Sequence, residues 1–419
     1  MTNENYVTTH LHTEYSLLDS TTKYQAYIEK AKELGQKAIA FTEHGNIYNW
    51  VLKKICCEEN GIKYIHGVEI YMTETLDEKI RDNYHTILLA RNYDGVKEIN
   101  DLVSRSSKDD HFYYKPRISF DEFLRISNNV IKTSACLASP LNKLSESHPY
   151  YERLVKKYDF LEVQPHDNSD QMFFNEHLVF LSKKYGIPLI AGTDTHNLGS
   201  YKAECRRMLQ LEKHIEFSSE DEFDLTYKSR EQLEEMFQKQ GVLSRDQYIE
   251  AINNTNVVAD MVEDFDLDIS FKYPILYGDA EKDEEVFHQT IDSKLKYKLE
   301  NKIIPADQEP AFKDAIKEEC RVFSKIEMSG FMLFMSEMIT WCKENGIPIG
   351  FNRGSCGGSR VAYVTDITDL NPEEWKTVFS RFCNEDRKEI GDCFDGLPIW
   401  RHIVKQLGEH INIWCRNCA

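Results

Sequence analysis

Residues 6–19 read YVTTHLHTEYSLLD and residues 37–45 read KAIAFTEHG. In both, a short β-branched or apolar run ends in side chains able to hold a metal, and the pattern recurs along the first half of the chain. YVTTH (6–10), KAIAFT (37–42), YIHGVEIY (64–71), YHTILLA (84–90), NVIKTSA (129–135), FLEVQ (160–164) and IPLIAGT (187–193) all have strand character. Most are separated by stretches with helical apolar spacing, such as 22–34, which closes at Gly35. Seven candidate strands with helical crossovers predict an α/β fold with a mainly parallel sheet, either doubly wound or closed into a barrel.

The donors collect at the strand ends. His10 and His12 form His-x-His just past the first run, where extended backbone points both to one side, and Asp19 follows in the next loop. Glu43 and His44 end the second run, Glu69 lies in the third and His85 in the fourth. Cys136 follows the fifth, His166 the sixth, and Asp194 with His196 the seventh. In parallel α/β folds the loops at the strands' carboxyl ends share one face, where sites are built. Cations roughly 3 to 4 Å apart can bind a phosphate, lower the pKa of a bridging water and stabilise a leaving oxygen, and such a centre needs many ligands. Taken singly, each histidine reads as an ordinary hydrogen-bonded side chain and Cys136 as a small buried hydrophobe; the common placement of the whole set favours a metal site.

The chain has 419 residues, 51 Lys+Arg against 70 Asp+Glu, and a formal net charge of −19. That balance argues against a nucleic-acid partner, because phosphate contacts use Lys and Arg. Ten acidic residues between Asp260 and Glu285, against only Lys272 and Lys282, concentrate the excess in one expected connector. The first twenty residues have neither a basic n-region nor an apolar h-region, and no run approaches the ~18 apolar residues of a membrane span. The 11 cysteines, an odd number with an adjacent pair Cys56-Cys57, fit free thiols in a reducing compartment, so the expected location is cytoplasmic with no membrane partner.

HLHTEYSLLD, FTEHG, GVEIY, YHTILLA, FYYKPRI, SACLA, LEVQPHD and TDTH, in this order, resemble the PHP (polymerase and histidinol phosphatase) domain at the start of the alpha subunit of bacterial DNA polymerase III. The resemblance spans about residues 5 to 270. It implies a distorted seven-stranded α/β barrel with nine metal-ligand positions at His10, His12, Asp19, His44, Glu69, His85, Cys136, Asp194 and His196, all of competent type. A complete set implies two or three divalent ions and phosphoesterase activity, expected to be 3′ to 5′ exonuclease proofreading; mixed His, carboxylate and Cys ligation accepts manganese, zinc or iron. Glu43, where the family more often has Asp, is expected to stand behind the ligands, and His166 at the cavity rim. Lys115 and Arg117 in YYKPRI are candidates for holding substrate phosphates.

Residues 1–270 thus form the expected phosphoesterase domain and 271–285 an acidic linker, followed by a partial α+β segment from 286 to 419. In that segment a strand leads into the Gly-rich GFNRGSCGGS (350–359) and then a helix, which resembles the opening of the palm of the same polymerase family. The resemblance gives Arg353, Gly354, Ser355 and Ser359 contact with an incoming nucleotide's triphosphate and gives Asp392 the first metal-binding carboxylate, with Mg as the ion. The second carboxylate position holds Phe394, which cannot ligate a metal. The chain alone is therefore expected to bind DNA at a primer 3′ end but not to polymerise it; dNTP binding would need a completed palm, from a C-terminal polymerase fragment or with other replisome subunits. A split, truncated or intein-interrupted gene, the last suggested by Cys393, and a dedicated nuclease are the alternatives for the ending. A scaffold module that keeps metal for stability, or a phosphatase for a small phosphomonoester, are the competing functions. Cys415 and Cys418 read as a bland terminal pair.

Overall fold

The computed structural model describes residues 5–215, 223–268 and 274–384, and the chain divides into two compact units, Met1–Leu267 and Asp268–Ala419. In the first unit the strands are β1 (Ala38–Phe41), β2 (Lys63–Thr73), β3 (Tyr84–Ala90), β4 (Arg117–Ser119), β5 (Val130–Thr133), β6 (Leu161–Val163) and β7 (Leu189–Ala191). One sheet runs β1-β2-β3-β5 with β4 also on β2, and β6 pairs with β7 separately.

The sheet is mixed, which corrects the expectation of a mainly parallel one. β2 is antiparallel to β3, and β3 to β5, whereas β1–β2, β2–β4 and β6–β7 are parallel. The cause lies in the connection from Thr73 to Tyr84, which contains no helix. A parallel return needs a crossover of a dozen or more residues, so this shorter excursion brings β3 back antiparallel. Between β6 and β7, by contrast, the helix Ser169–Tyr185 supplies the crossover, capped by Asn168 at its start and by Gly186 (φ 69°) at its end. The expected strand at 6–10 is reduced to a parallel bridge between Thr8 and Ile39, and β4 was not expected. Single parallel bridges also join Thr133 to Phe160 and Leu11 to Thr195.

Alternation along β2 sets the site. Val68, Ile70 and Met72 are fully buried in the cluster that also holds Val96, Ile99 and Leu102 of the helix Tyr93–Ser106 and Phe174, Leu178 and Leu181 of the helix Ser169–Tyr185. Glu69, between them, therefore faces the other side of the strand. There Val7, Ala38, Ala40, Ile65, Ile87, Leu89, Ile131 and Ile190 form a second apolar cluster with Val258, Ala259 and Val262. Each buried Val, Leu or Ile side chain there contributes about 1.5 to 3 kcal/mol.

The second unit is helical over its described residues: Ala280–Glu300, Glu309–Lys325, Ser329–Glu344 and the short Arg360–Val364. Asp279 caps the first by accepting from Lys282 N at 2.8 Å, and Pro310 sits in the first turn of the second. Phe287, Ile291, Phe312, Phe323, Met332 and Val361 lie in one core. Part of the expected linker is thus folded: the helix begins at Ala280, and Asp283 is buried where it accepts from Leu276 N and Tyr277 N. The expected strand before the Gly-rich loop is absent among the described residues, where no neighbouring strand offers it ladder hydrogen bonds. No helix there is long and apolar enough to cross a membrane.

Candidate metal centre

All nine ligand candidates named from the sequence converge. Glu69 is the hub: Oε1 lies 2.5 Å from His85 Nδ1, 3.9 Å from His10 Nε2 and 4.0 Å from Cys136 Sγ, while Oε2 lies 2.6 Å from His44 Nδ1 and 3.5 Å from His12 Nε2. Asp194 Oδ1 stands 3.1, 3.3 and 3.5 Å from His10 Nε2, His12 Nε2 and His196 Nδ1. Asp19 Oδ2 stands 2.9 Å from His44 Nε2 and 3.3 Å from His196 Nε2. Three groups bring their donor atoms within 4.8 Å of one another: His12, His44 and His196; His10, His12 and Glu69; and Glu69, His85 and Cys136. They share His12 and Glu69.

The donor set fits divalent ions. His10 Nε2, His12 Nε2, His44 Nδ1, Glu69 Oε2 and Asp194 Oδ1 are buried without a hydrogen-bond partner. Even the 2.6 Å approach of His44 to Glu69 lacks hydrogen-bond alignment. Unsatisfied buried groups cost about 1 to 3 kcal/mol each, and five in one place are what shared ions would satisfy. Protonation reflects the same crowding. Burial opposes ionisation of Asp19, Glu69 and Asp194, yet the facing imidazoles hold all three well below the usual carboxylate range. Burial likewise opposes charge on His44, but Glu69 and Asp19 push it up to about 10. His12 goes the other way, down to about 3, through burial and the neighbouring His44 and His196. Burial also raises the Cys136 thiol.

A layer of residues aims these donors. His10 Nδ1 donates to Glu162 Oε1 at 2.7 Å, which turns Nε2 inward. His12 Nδ1 donates to Ser16 Oγ at 2.9 Å, and Ser16 donates to Glu43 Oε2 at 2.6 Å. Glu43 is held by Lys53 Nζ at 2.6 Å and by Thr13; burial would raise its pKa, but Lys53, Ser16 and Thr13 bring it to about 2. Arg206 grips Asp19 Oδ1 through Nε at 2.9 Å and Nη2 at 2.5 Å. Sequence reasoning placed Glu43 behind the ligands but missed Glu162, Ser16, Lys53 and Arg206. Glu162 had a signal, a carboxylate inside an apolar strand like Glu69; Lys53 and Arg206 read as ordinary surface cations on helices. His166 is buried with both ring nitrogens unpartnered and stacks on Phe223 at 4.5 Å.

The other candidates divide. Lys115 is exposed and lies against Tyr71, Nζ 3.5 Å from its hydroxyl, and Tyr71 in turn contacts His44 and His85. Arg117 is buried and donates to the carbonyls of Ile80 and Asp82, which takes it away from any phosphate and corrects that assignment. In the Gly-rich loop Arg353, Gly354 and Ser355 are exposed. Ser359 is fully buried: its hydroxyl donates to Glu319 Oε2 at 2.6 Å and accepts from Ala362 N. Glu319 also accepts from Arg360 N and Val361 N. An internal carboxylate thus fills the place at this helix start where a phosphate was expected, and Ser359 is corrected to a cap. Asp392 lies outside the described residues.

Residues 8–166 match the family model for the PHP domain, and residues 285–395 match that for the bacterial DNA polymerase III alpha NTPase domain. The DNA polymerase III subunit alpha of Borreliella burgdorferi is 30% identical over 439 aligned positions, covering 96% of this chain and 36% of that protein. The corresponding subunit of Aquifex aeolicus is 30% identical, with 93% of this chain and 36% of that protein covered. The chain therefore spans about a third of the length of the curated relatives it matches. Among solved structures, a two-domain protein from Bacteroides vulgatus containing a predicted PHP-like metal-dependent phosphoesterase aligns at 16% identity over 46% of this chain and 52% of that one, with a TM-score of 0.32.

Proposed function

We propose that this chain, similar along nearly its whole length to bacterial DNA polymerase III alpha subunits, carries in its PHP region a metal-dependent phosphodiesterase that removes nucleotides from a DNA 3′ end. The observation that carries the reading is the set of five buried, unpartnered donor atoms converging from His10, His12, His44, Glu69 and Asp194. His10, His12, Asp19, His44, Glu69, His85, Cys136, Asp194 and His196 would hold two or three divalent ions of manganese, zinc or iron. Bound there, such ions supply Lewis acidity toward a phosphate and lower the pKa of water.

The chain's own residues do the rest. Glu162 and Ser16 fix the ring orientation of His10 and His12, so these imidazoles meet the ions without reorganisation. Arg206 leaves only Oδ2 of Asp19 free to face the centre. Lys115, exposed beside Tyr71, would take a phosphate of the strand. The single bridges that link Thr8, Thr133 and Leu11 to neighbouring segments support a distorted barrel.

In the second unit Arg353, Gly354 and Ser355 remain open for a nucleotide triphosphate, whereas nucleotidyl transfer with Mg would depend on Asp392 and on further polymerase sequence. DNA, dNTP and other replisome subunits are the corresponding partners, in the cytoplasm.

The test is metal content of the purified chain together with hydrolysis of a 5′-labelled single strand and of p-nitrophenyl phosphate. Two or three ions per chain and a ladder shortening from the 3′ end are expected, both lost in Asp194→Asn at unchanged circular dichroism. Stoichiometric metal without degradation of either substrate would leave a metal-stabilised scaffold instead; hydrolysis of the monoester alone would indicate a phosphatase.

A further inference from the structure

Beside the metal centre, the turn 112–117 raises aromatic rings and cations into solvent. Phe112 is 50% exposed and Tyr114 60%, and Tyr114 sits at φ 60° with its ring edge-on to Tyr113 at 4.8 Å. The Arg81 guanidinium lies 3.9 Å from the centre of the Tyr114 ring and donates to its hydroxyl. The Tyr113 and Tyr114 rings are held in place by contacts around the turn.

The props are specific. Arg117 is buried under the turn, its guanidinium 5.5 Å from the Tyr113 ring, and ties the turn to the segment 80–82 through the Ile80 and Asp82 carbonyls. His111 Nε2 meets Glu122 at 3.1 Å, and Phe112 N donates to Lys108 O at 2.7 Å. Pro116 rests on Gly45: a Cβ there would stand 2.6 Å from Pro116 Cγ and 3.2 Å from Tyr71, and the backbone at φ +61° favours glycine. Gly45 directly follows the ligand candidate His44, so this contact fixes the turn to the rim. Lys115 then lies over Tyr71, 5.1 Å from its ring centre, and Tyr71 meets His85 at 4.9 Å.

We infer that the turn Phe112–Lys115 with Arg81 is a landing platform for unpaired nucleotides of a DNA strand whose end enters the metal centre. Aromatic faces accept bases of any sequence, and adjacent cations accept the backbone phosphates. A paired base has its faces occupied, so the platform selects frayed or single-stranded ends. This inference deepens the phosphodiesterase reading and rests on it for the strand's destination, but binding is separable from hydrolysis.

The experiment titrates the full chain into a 5′-fluorescein octathymidylate with phosphorothioate linkages, followed by anisotropy, and measures degradation of the unmodified strand in parallel. Tyr114→Ala should weaken binding about tenfold, equivalent to about 1.4 kcal/mol. Tyr114→Phe, which keeps the ring, should bind as the parent does, as should Phe180→Ala, an exposed ring elsewhere on the unit. Lys115→Ala should reduce the salt dependence by about 0.7 in the log–log slope. Equal affinity of Tyr114→Ala and of Phe112→Ala/Tyr114→Ala for the strand, or equal affinity of the parent for a blunt duplex, would overturn the platform. Binding that depends on Tyr114 without degradation would uphold the platform and overturn the hydrolytic reading; degradation with Tyr114-independent binding would do the reverse.

Discussion

Replacing Lys53 by Met tests whether the site is supported from behind as described. Lys53 Nζ stands 2.6 Å from Glu43 Oε1, with side-chain exposures of 2% and 1%. Glu43 is held at about 2 against an ordinary 4.5, so its surroundings favour the ionised form by about 3 kcal/mol despite burial. Met would fill the stem's place beside Tyr15 and Phe41 but leave the carboxylate alone in the interior. Breaking a buried pair this way costs about 3 to 5 kcal/mol. The depressed pKa also sets a sign: this stability is fully present above pH 4.5 and is lost as the pH falls toward 2, so the deficit of Lys53→Met against the parent should shrink as the pH falls through that range and the carboxylate is protonated. Since Glu43 holds Ser16, and Ser16 holds His12, metal affinity should drop about 10 to 100-fold. Urea unfolding followed by a probe in the first unit, with metal titration on the same samples, reads both effects. Lys53→Met/Glu43→Gln should recover most of the stability, because the pair is then removed as a whole. A loss below about 1 kcal/mol with unchanged metal affinity would refute the support chain.

Two further substitutions probe other parts of the same unit. At Gly192 a Cβ would lie 2.1 Å from Glu162 Oε1, so Gly192→Ala must expel the carboxylate that orients His10; metal content should fall, and full occupancy would contradict that role for Glu162. His66 is buried between Tyr64 and Asn100, and burial lowers its pKa to about 4. The folded protein therefore refuses a proton that the unfolded chain takes near 6.5, and up to about 3 kcal/mol present above pH 6.5 is lost as the pH falls to 4. His66→Phe, which keeps the packing on Trp50, should flatten that slope in denaturation midpoints at pH 7, 5.5 and 4; an unchanged slope would contradict it.

The convergence of the candidate donors could be read in advance because strand-end residues of ligating type are a local signal, and β2 shows why the signal works. Its alternation buries Val68, Ile70 and Met72 on one side and leaves Glu69 no place but the other. Strand direction was not legible, since antiparallel return depends on the length of the excursion after Thr73 and not on the apolar run that follows it. Supporting cations were invisible for a different reason. Lys53-Lys54 in WVLKKICCEE looks like a solvated pair on a helix, and only the fold brings Glu43 against one of them. Arg117 and Ser359 failed because residue type says what a side chain can contact, while burial decides what it does contact: Arg117 meets backbone carbonyls and Ser359 meets Glu319.

The same distinction governs the net charge of −19, which taken over the whole chain argues against a nucleic-acid partner. Asp19, Glu43, Glu69 and Glu162 are buried, Asp194 has only 15% of its side chain exposed, and each faces a basic group at short range, Arg206, Lys53 or an imidazole. Carboxylates that are paired inside the protein contribute to the sum but project little field beyond their partners, whereas Arg81 and Lys115 stand exposed at the rim. Within the centre the sign depends on the ions: two or three divalent cations bring four to six positive charges to a set of five imidazoles, one thiol and the three carboxylates Asp19, Glu69 and Asp194. A phosphodiester should therefore be drawn more strongly to the loaded centre than to the metal-free one, while the aromatic platform, which needs no metal, binds strand in both states. Anisotropy of the phosphorothioate strand with and without chelator separates the two contributions. A residual affinity after chelation that still depends on Tyr114 belongs to the platform, and the increment restored by metal belongs to the centre.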